Sequence, residues 1–127
     1  MRVLLDTHAF LWFMAGDARL SQKAREAMSD ENAELFLSAA SVWEMAIKAA
    51  LGRLQLPLPV ADYVAEKIHD GFQVMPIDWV HAAAVQKLPF HHRDPFDRLI
   101  IAQAQVEKLP LVSGDRLFRK YDIQLVW

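Results

Sequence analysis

The chain has 127 residues, 54% of them apolar and 24% charged, with a formal net charge of −2 and no cysteine. This is enough chain for one core and too apolar for disorder, so a single domain over residues 1–127 is expected, with apolar surface to spare for a protein partner. A disulfide-stapled scaffold and a globally basic nucleic-acid binder are excluded, no apolar run approaches the ~20 residues that cross a bilayer, and Asp6 comes too early for a secretory leader, so a cytoplasmic location is expected.

In chain order, Val3–Leu5 is a short unbroken apolar run of the kind that forms a strand buried on both faces. A helix is expected over His8–Met14, closed by Gly16, and another over Ser21–Met28. The run Leu35–Leu37 repeats the strand pattern and leads into a helical stretch Val42–Leu51 that stops at Gly52. After the Pro57 and Pro59 connector come a helix over Val60–His69, Gly71, a strand over Val74–Ile77 and a helix over Trp79–Leu88. Pro95 suits a first helical residue, so Pro95–Glu107 reads as the last helix, followed by a strand at Leu111–Val112 and an edge strand at Leu125–Trp127. Strands alternating with helices imply an α/β fold: a three-layer α/β/α sandwich around a mostly parallel sheet of four to five strands.

In such sheets, ligands bind beyond the carboxyl ends of the strands. Asp6 follows the first strand, Glu44 opens the helix after the second, Asp94 and Asp97 open the last helix, and Asp115 follows Leu111-Val112-Ser113-Gly114. Singly, most of these acids have an ordinary explanation. Ser41-Val42-Trp43-Glu44 reads as a capping box, Asp94 as an N-cap, Asp97 as a first-turn acid and Gly114-Asp115 as a turn. Asp6 resists such a reading, because an acid ending a buried strand is costly unless it is paired. Together the acids form one anionic rim without a lysine nearby, which suits a hard divalent cation, Mg²⁺ or Mn²⁺, and hydrolysis of a phosphodiester without a protein nucleophile.

Four blocks carry a family resemblance: Leu4-Leu5-Asp6-Thr7-His8, Ser41-Val42-Trp43-Glu44, His92-Arg93-Asp94-Pro95-Phe96-Asp97-Arg98-Leu99-Ile100-Ile101-Ala102 and Leu111-Val112-Ser113-Gly114-Asp115. In this order and spacing they resemble the PIN-domain signature over nearly the whole chain, and the Asp-Pro-Phe-Asp-Arg form resembles the VapC-like toxin branch. The resemblance implies a PIN-like fold and a metal-dependent endoribonuclease, the toxin of a toxin–antitoxin pair, held by a cognate antitoxin and commonly dimeric. It makes Asp6, Glu44, Asp97 and Asp115 the metal-binding and catalytic acids, with Asp94 a cap or an additional ligand. Thr7 and Ser113 would orient those acids, and Arg98 would hold an acid, touch a substrate phosphate or form a structural ion pair. Trp12 and Trp43 are candidates for the antitoxin and dimer surfaces. His8 would lie near RNA and His91-His92 in an exposed loop; none of them has the spacing of a tetrahedral zinc site.

Two other readings compete. A receiver domain would also bind Mg²⁺ on this rim, but it requires a phospho-accepting Asp after a middle strand, where this chain has Ser38. A catalytically silent PIN-like binding module would usually lack one of the acids, and all four stand here.

Overall fold

The structure is a computed structural model that describes residues 1–127. Its elements are β1 (Arg2–Leu5), α1 (Thr7–Ala15), α2 (Gln22–Ser29), β2 (Glu34–Ser38), α3 (Ala39–Ala50), α4 (Val60–His69), β3 (Gln73–Met75), α5 (Trp79–Ala84), α6 (Pro95–Glu107), β4 (Leu111–Val112) and β5 (Leu125–Val126), with 3₁₀ turns at Val85–Lys87 and Arg116–Lys120. The five strands lie in the order β3-β2-β1-β4-β5, and every pairing is parallel.

The apolar run of β1 is buried on both faces, as its composition predicts. Val3 and Leu5 point into one core with Phe10, Met45 and Tyr63, while Leu4 points into a second with Ile100, Ile101 and Phe118. Residues of α1, α2 and α4 close the first side of the sheet and those of α6 the second; α3 contributes Met45 to one core and Ala40 to the other. Burying one side chain such as Phe10 completely is worth about 1.5–3 kcal/mol, so the sheet is held mainly by its two apolar faces.

Several element ends depart from the sequence expectations, each for a local reason. The third helix starts at Ala39 rather than Val42, because the Ser38 hydroxyl accepts from the Ala40 N–H and serves as N-cap. Ser41 and Glu44 therefore sit inside the helix, and the capping box proposed for them does not exist. A capping box does form at α5, from Asp78 and His81. The strand expected over Val74–Ile77 ends at Met75, before Pro76, and the helix expected to reach Leu88 tightens into a 3₁₀ turn after Ala84. Gly16 closes α1 at φ +64°, a conformation that favours glycine.

Candidate active site

β1 sits between β2 and β4, so the chain leaves its neighbourhood first toward β3 and later toward β5. Such a reversal opens a crevice at the carboxyl end of the sheet. Asp6 is the residue after β1 and Asp115 the third after β4, while Asp97 is the third residue of α6. Glu44 projects from the second turn of α3, one turn deeper than a capping residue would lie.

Asp6, Glu44 and Asp115 are each held by donors of their own. Asp6 caps α1, its Oδ1 accepting from the Ala9 N–H at 2.6 Å, so the acid that resisted a capping explanation is in fact a cap as well. It is 4% exposed; burial raises its pKa, opposed by hydrogen bonds from the Ser113 hydroxyl and the Ala9 N–H. Glu44 Oε1 accepts from the buried Thr7 hydroxyl at 2.7 Å, and the Ser41 hydroxyl lies 2.8 Å from the same Thr7 oxygen. Glu44 Oε2 pairs with Lys48 Nζ at 2.7 Å, so a lysine does stand at the rim, against the sequence expectation. Asp115 Oδ1 accepts from the Leu117 N–H, which makes it the cap of the following 3₁₀ turn.

Asp97 is the acid that feels all the others. Burial, and then the charges of Asp94, Asp6, Glu44 and Asp115, push its pKa from 3.8 up to about 8. At neutral pH Asp97 therefore favours its protonated form unless positive charge is added beside it. The donor set is oxygen-rich, concave and short of cations, which fits a hard divalent ion. A cleft of about 230 Å³ opens beside Asp6 and Asp115, walled by His8, Trp12 and Gly114.

Of the other predicted site residues, Asp94 takes an expected place and Arg98 does not. Asp94 is the N-cap of α6, with its Oδ1 accepting from the Phe96 and Asp97 N–H groups. Arg98 touches no carboxylate. It is 5% exposed and donates to the carbonyls of Val85, Leu88, Pro89 and His92, so it clamps the segment before α6 rather than holding an acid or reaching for substrate. Thr7 contacts Glu44, and Ser113 hydrogen-bonds Asp6.

His92 is the residue that the sequence reading missed. Expected in an exposed loop, it is 8% exposed, and its Nε2 lies 2.8 Å from Asp115 Oδ2 and 3.2 Å from Asp97 Oδ2. The only sequence signal was its place two residues before the α6 N-cap, within reach of the cap's own N–H. His8 is exposed and stacks on Trp12, as expected of a residue at the rim.

Apolar surface near the acids and along α1 takes two forms. Trp43, 59% exposed, packs edge-on against Phe96 beside the acids. A groove of about 470 Å³ runs along α1, lined by Trp12, Leu54, Leu56 and Tyr63 with Arg19 and Lys67 at its edges. No helix is long and apolar enough to cross a membrane.

Residues 3–124 match the family described as PIN domain. The chain is 35% identical over 119 residues to Ribonuclease VapC22 of Mycobacterium tuberculosis, covering 94% of this chain and 91% of that protein. Among solved structures, it resembles a DNA-bound VapBC from Salmonella typhimurium, with a TM-score of 0.72 and 17% identity over 98% of this chain and 96% of that one. It also resembles VapBC2 from Rickettsia felis bound to a promoter DNA fragment, with a TM-score of 0.71 and 12% identity over 98% of this chain and 97% of that one. At these identities the structural likeness speaks to the fold, while the family match and the M. tuberculosis relative speak to kinship.

Proposed function

Since the chain belongs to the PIN-domain family, we propose that it is a divalent-metal-dependent endoribonuclease of the VapC toxin type, using Asp6, Glu44, Asp97 and Asp115 as its metal-binding and catalytic acids. The observation that carries this reading is the gathering of acids at one rim: Asp6 and Glu44 are each 4% exposed, oxygens of Asp97 and Asp115 lie within 4.8 Å of each other, and Asp97 is pushed up to about 8 by burial and by its four acidic neighbours. A surface kept only for caps and turns has no reason to gather such charge, because like charges held close oppose folding.

The chain's own groups do the orienting. Thr7 fixes one oxygen of Glu44 and Lys48 the other, while Ser113 and the Ala9 N–H hold Asp6. Oriented acids lower the reorganisation needed when substrate arrives. When bound, a divalent cation supplies the Lewis-acid charge that a phosphodiester and its attacking water require. Mg²⁺ or Mn²⁺ suits the all-oxygen ligand set, and Asp94, already engaged as a cap, is left as a source of negative potential. The net charge of −2 leaves RNA binding to the cation and to local groups such as His8 and Trp12 on the cleft wall.

The groove along α1, with Trp12 in its lining, is the proposed seat of a cognate antitoxin segment. Trp43 and the exposed Trp79 and Phe90 supply apolar surface for self-association as a homodimer. A cytoplasmic site of action fits a chain without cysteine.

The test is direct. Purified protein freed of any antitoxin is incubated with structured RNA and Mg²⁺ or Mn²⁺, with and without EDTA. Cleavage that requires the cation supports the reading, and cleavage indifferent to EDTA overturns the mechanism.

A further inference from the structure

Nε2 of His92 and one carboxylate oxygen each from Asp97 and Asp115 lie within 4.8 Å of one another, a grouping that could itself hold a metal ion. Two roles are open to the ring. Nε2 could present a lone pair to the cation, or it could carry a proton and donate to the acids.

The backbone decides between them. His92 Nδ1 accepts from the Asp94 N–H at 3.1 Å, so its lone pair is committed to the N-cap of α6 and the ring proton must stand on Nε2. That assignment comes from the hydrogen-bond pattern, and the pattern recurs at His81, whose Nδ1 accepts from the Asp78 N–H at 2.9 Å while Nε2 meets Glu107. At His92 the Nε2–H faces Asp115 Oδ2 at 2.8 Å and Asp97 Oδ2 at 3.2 Å. A nitrogen that carries a proton has no lone pair for a metal.

The ring cannot easily turn to exchange its nitrogens. It packs edge-on against Phe118, with ring centroids 5.4 Å apart. The backbone is fixed as well: the His92 main-chain N–H donates to the Tyr121 hydroxyl at 2.8 Å, and its main-chain carbonyl accepts from Arg98 at 3.3 Å. Turning the ring would also strip the Asp94 N–H of its acceptor, which is costly in a partly buried position.

We infer that His92 is a positioning residue of the acid cluster rather than a metal ligand: its Nε2–H is donated to Asp115 Oδ2, with Asp97 Oδ2 3.2 Å away, and so fixes the Asp115 carboxylate beside that of Asp97 on a different element. It ties the start of α6 to the segment after β4 through one side chain, so the two acids keep their separation whether or not a cation is bound. With Oδ1 of Asp115 already taken by the Leu117 N–H, the His92 bond leaves that carboxylate little freedom to rotate. This inference rests on the metal-dependent reading above.

Three measurements test it. In metal-free wild-type protein, long-range ¹⁵N–¹H correlation of the histidine rings should show His92 protonated at Nε2; protonation at Nδ1 would overturn the inference. Mn²⁺ bound to wild-type protein should show no directly coordinated ¹⁴N in its electron spin-echo modulation, and a ¹⁴N coupling that His92→Phe abolishes would make His92 a ligand. Finally, Mn²⁺ titration should give His92→Phe a Kd raised by about 10–100-fold, the usual range for losing a group that orients a ligand. His92→Gln, whose amide can still donate toward the acids, should recover most of that loss. Mn²⁺ affinity unchanged in His92→Phe would reduce the residue to packing. Wild-type protein that binds Mn²⁺ but fails these tests sinks the inference alone, whereas wild-type protein that binds no Mn²⁺ overturns the functional reading and the inference with it.

Discussion

Replacing Asp97 by Asn converts the most crowded acid into a neutral isostere, and the raised pKa gives the sign of the result and an upper bound on its size. The folded pKa is raised from 3.8 to about 8, so between those values the native state binds more protons than the unfolded chain. Metal-free wild type must therefore lose stability as pH rises through that window, at up to 1.36 kcal/mol per unit. By pH 7 the loss from this one group is about 4 kcal/mol as an upper bound, and relaxation and water around a side chain still 20% exposed should reduce it to roughly half. The amide carries no charge at any pH. In EDTA, Asp97→Asn should match wild type near pH 4 and exceed it by about 2–4 kcal/mol near pH 7, on the order of 7–15 °C in Tm. The gap should stop widening above about pH 8. Urea unfolding of both proteins in EDTA from pH 4 to 9 measures it. If the difference does not change with pH, or if the amide variant is the less stable at pH 8, then Asp97 is not held in an uncompensated anionic cluster.

Three further outcomes follow from the same geometry. Asp6→Asn, Glu44→Gln and Asp115→Asn should fold, since Asn caps about as well as Asp and Gln is isosteric with Glu, yet lose about 10²-fold or more in RNA cleavage and most of the Mn²⁺-induced rise in Tm; three variants that keep both would leave these acids with structural roles alone. Mn²⁺ binding should release protons at pH 7 and tighten as pH rises toward about 8, because Asp97 must ionise to bind; calorimetry in buffers of different ionisation enthalpy counts those protons, and a count of zero contradicts the raised pKa. Arg98→Lys should destabilise the protein by about 2–4 kcal/mol, since a single ammonium cannot satisfy the four carbonyls that the guanidinium now holds. A loss below about 0.5 kcal/mol in urea unfolding would show that the clamp is dispensable.

Much of this molecule is readable from local pattern. Apolar runs such as Val3–Leu5 specify strands buried on both faces, and Asp94-Pro95 opens a helix by chemistry that involves only near neighbours. The alternation of strands and helices then puts acids that follow strands or open helices on one rim, which is how Asp6, Glu44, Asp94, Asp97 and Asp115 come to be candidates. The start of α3 was misplaced because Ser38 and Ser41 are equally good caps by composition. Ser38 prevails because its strand ends there, and its hydroxyl also bonds Gln103 on α6.

What each side chain does at the rim was decided by partners far along the chain. Thr7 finds Glu44 across 37 residues, His92 finds Asp115 across 23, and Arg98 closes on carbonyls of a segment that has no regular pattern of its own. Residue type gave no warning that His92 would be buried among acids or that Arg98 would ignore them. A strand or a cap is set by chemistry within a few residues, and sequence records it directly. The charge around Asp97 depends on how four elements meet after the sheet has closed, which no window of sequence contains.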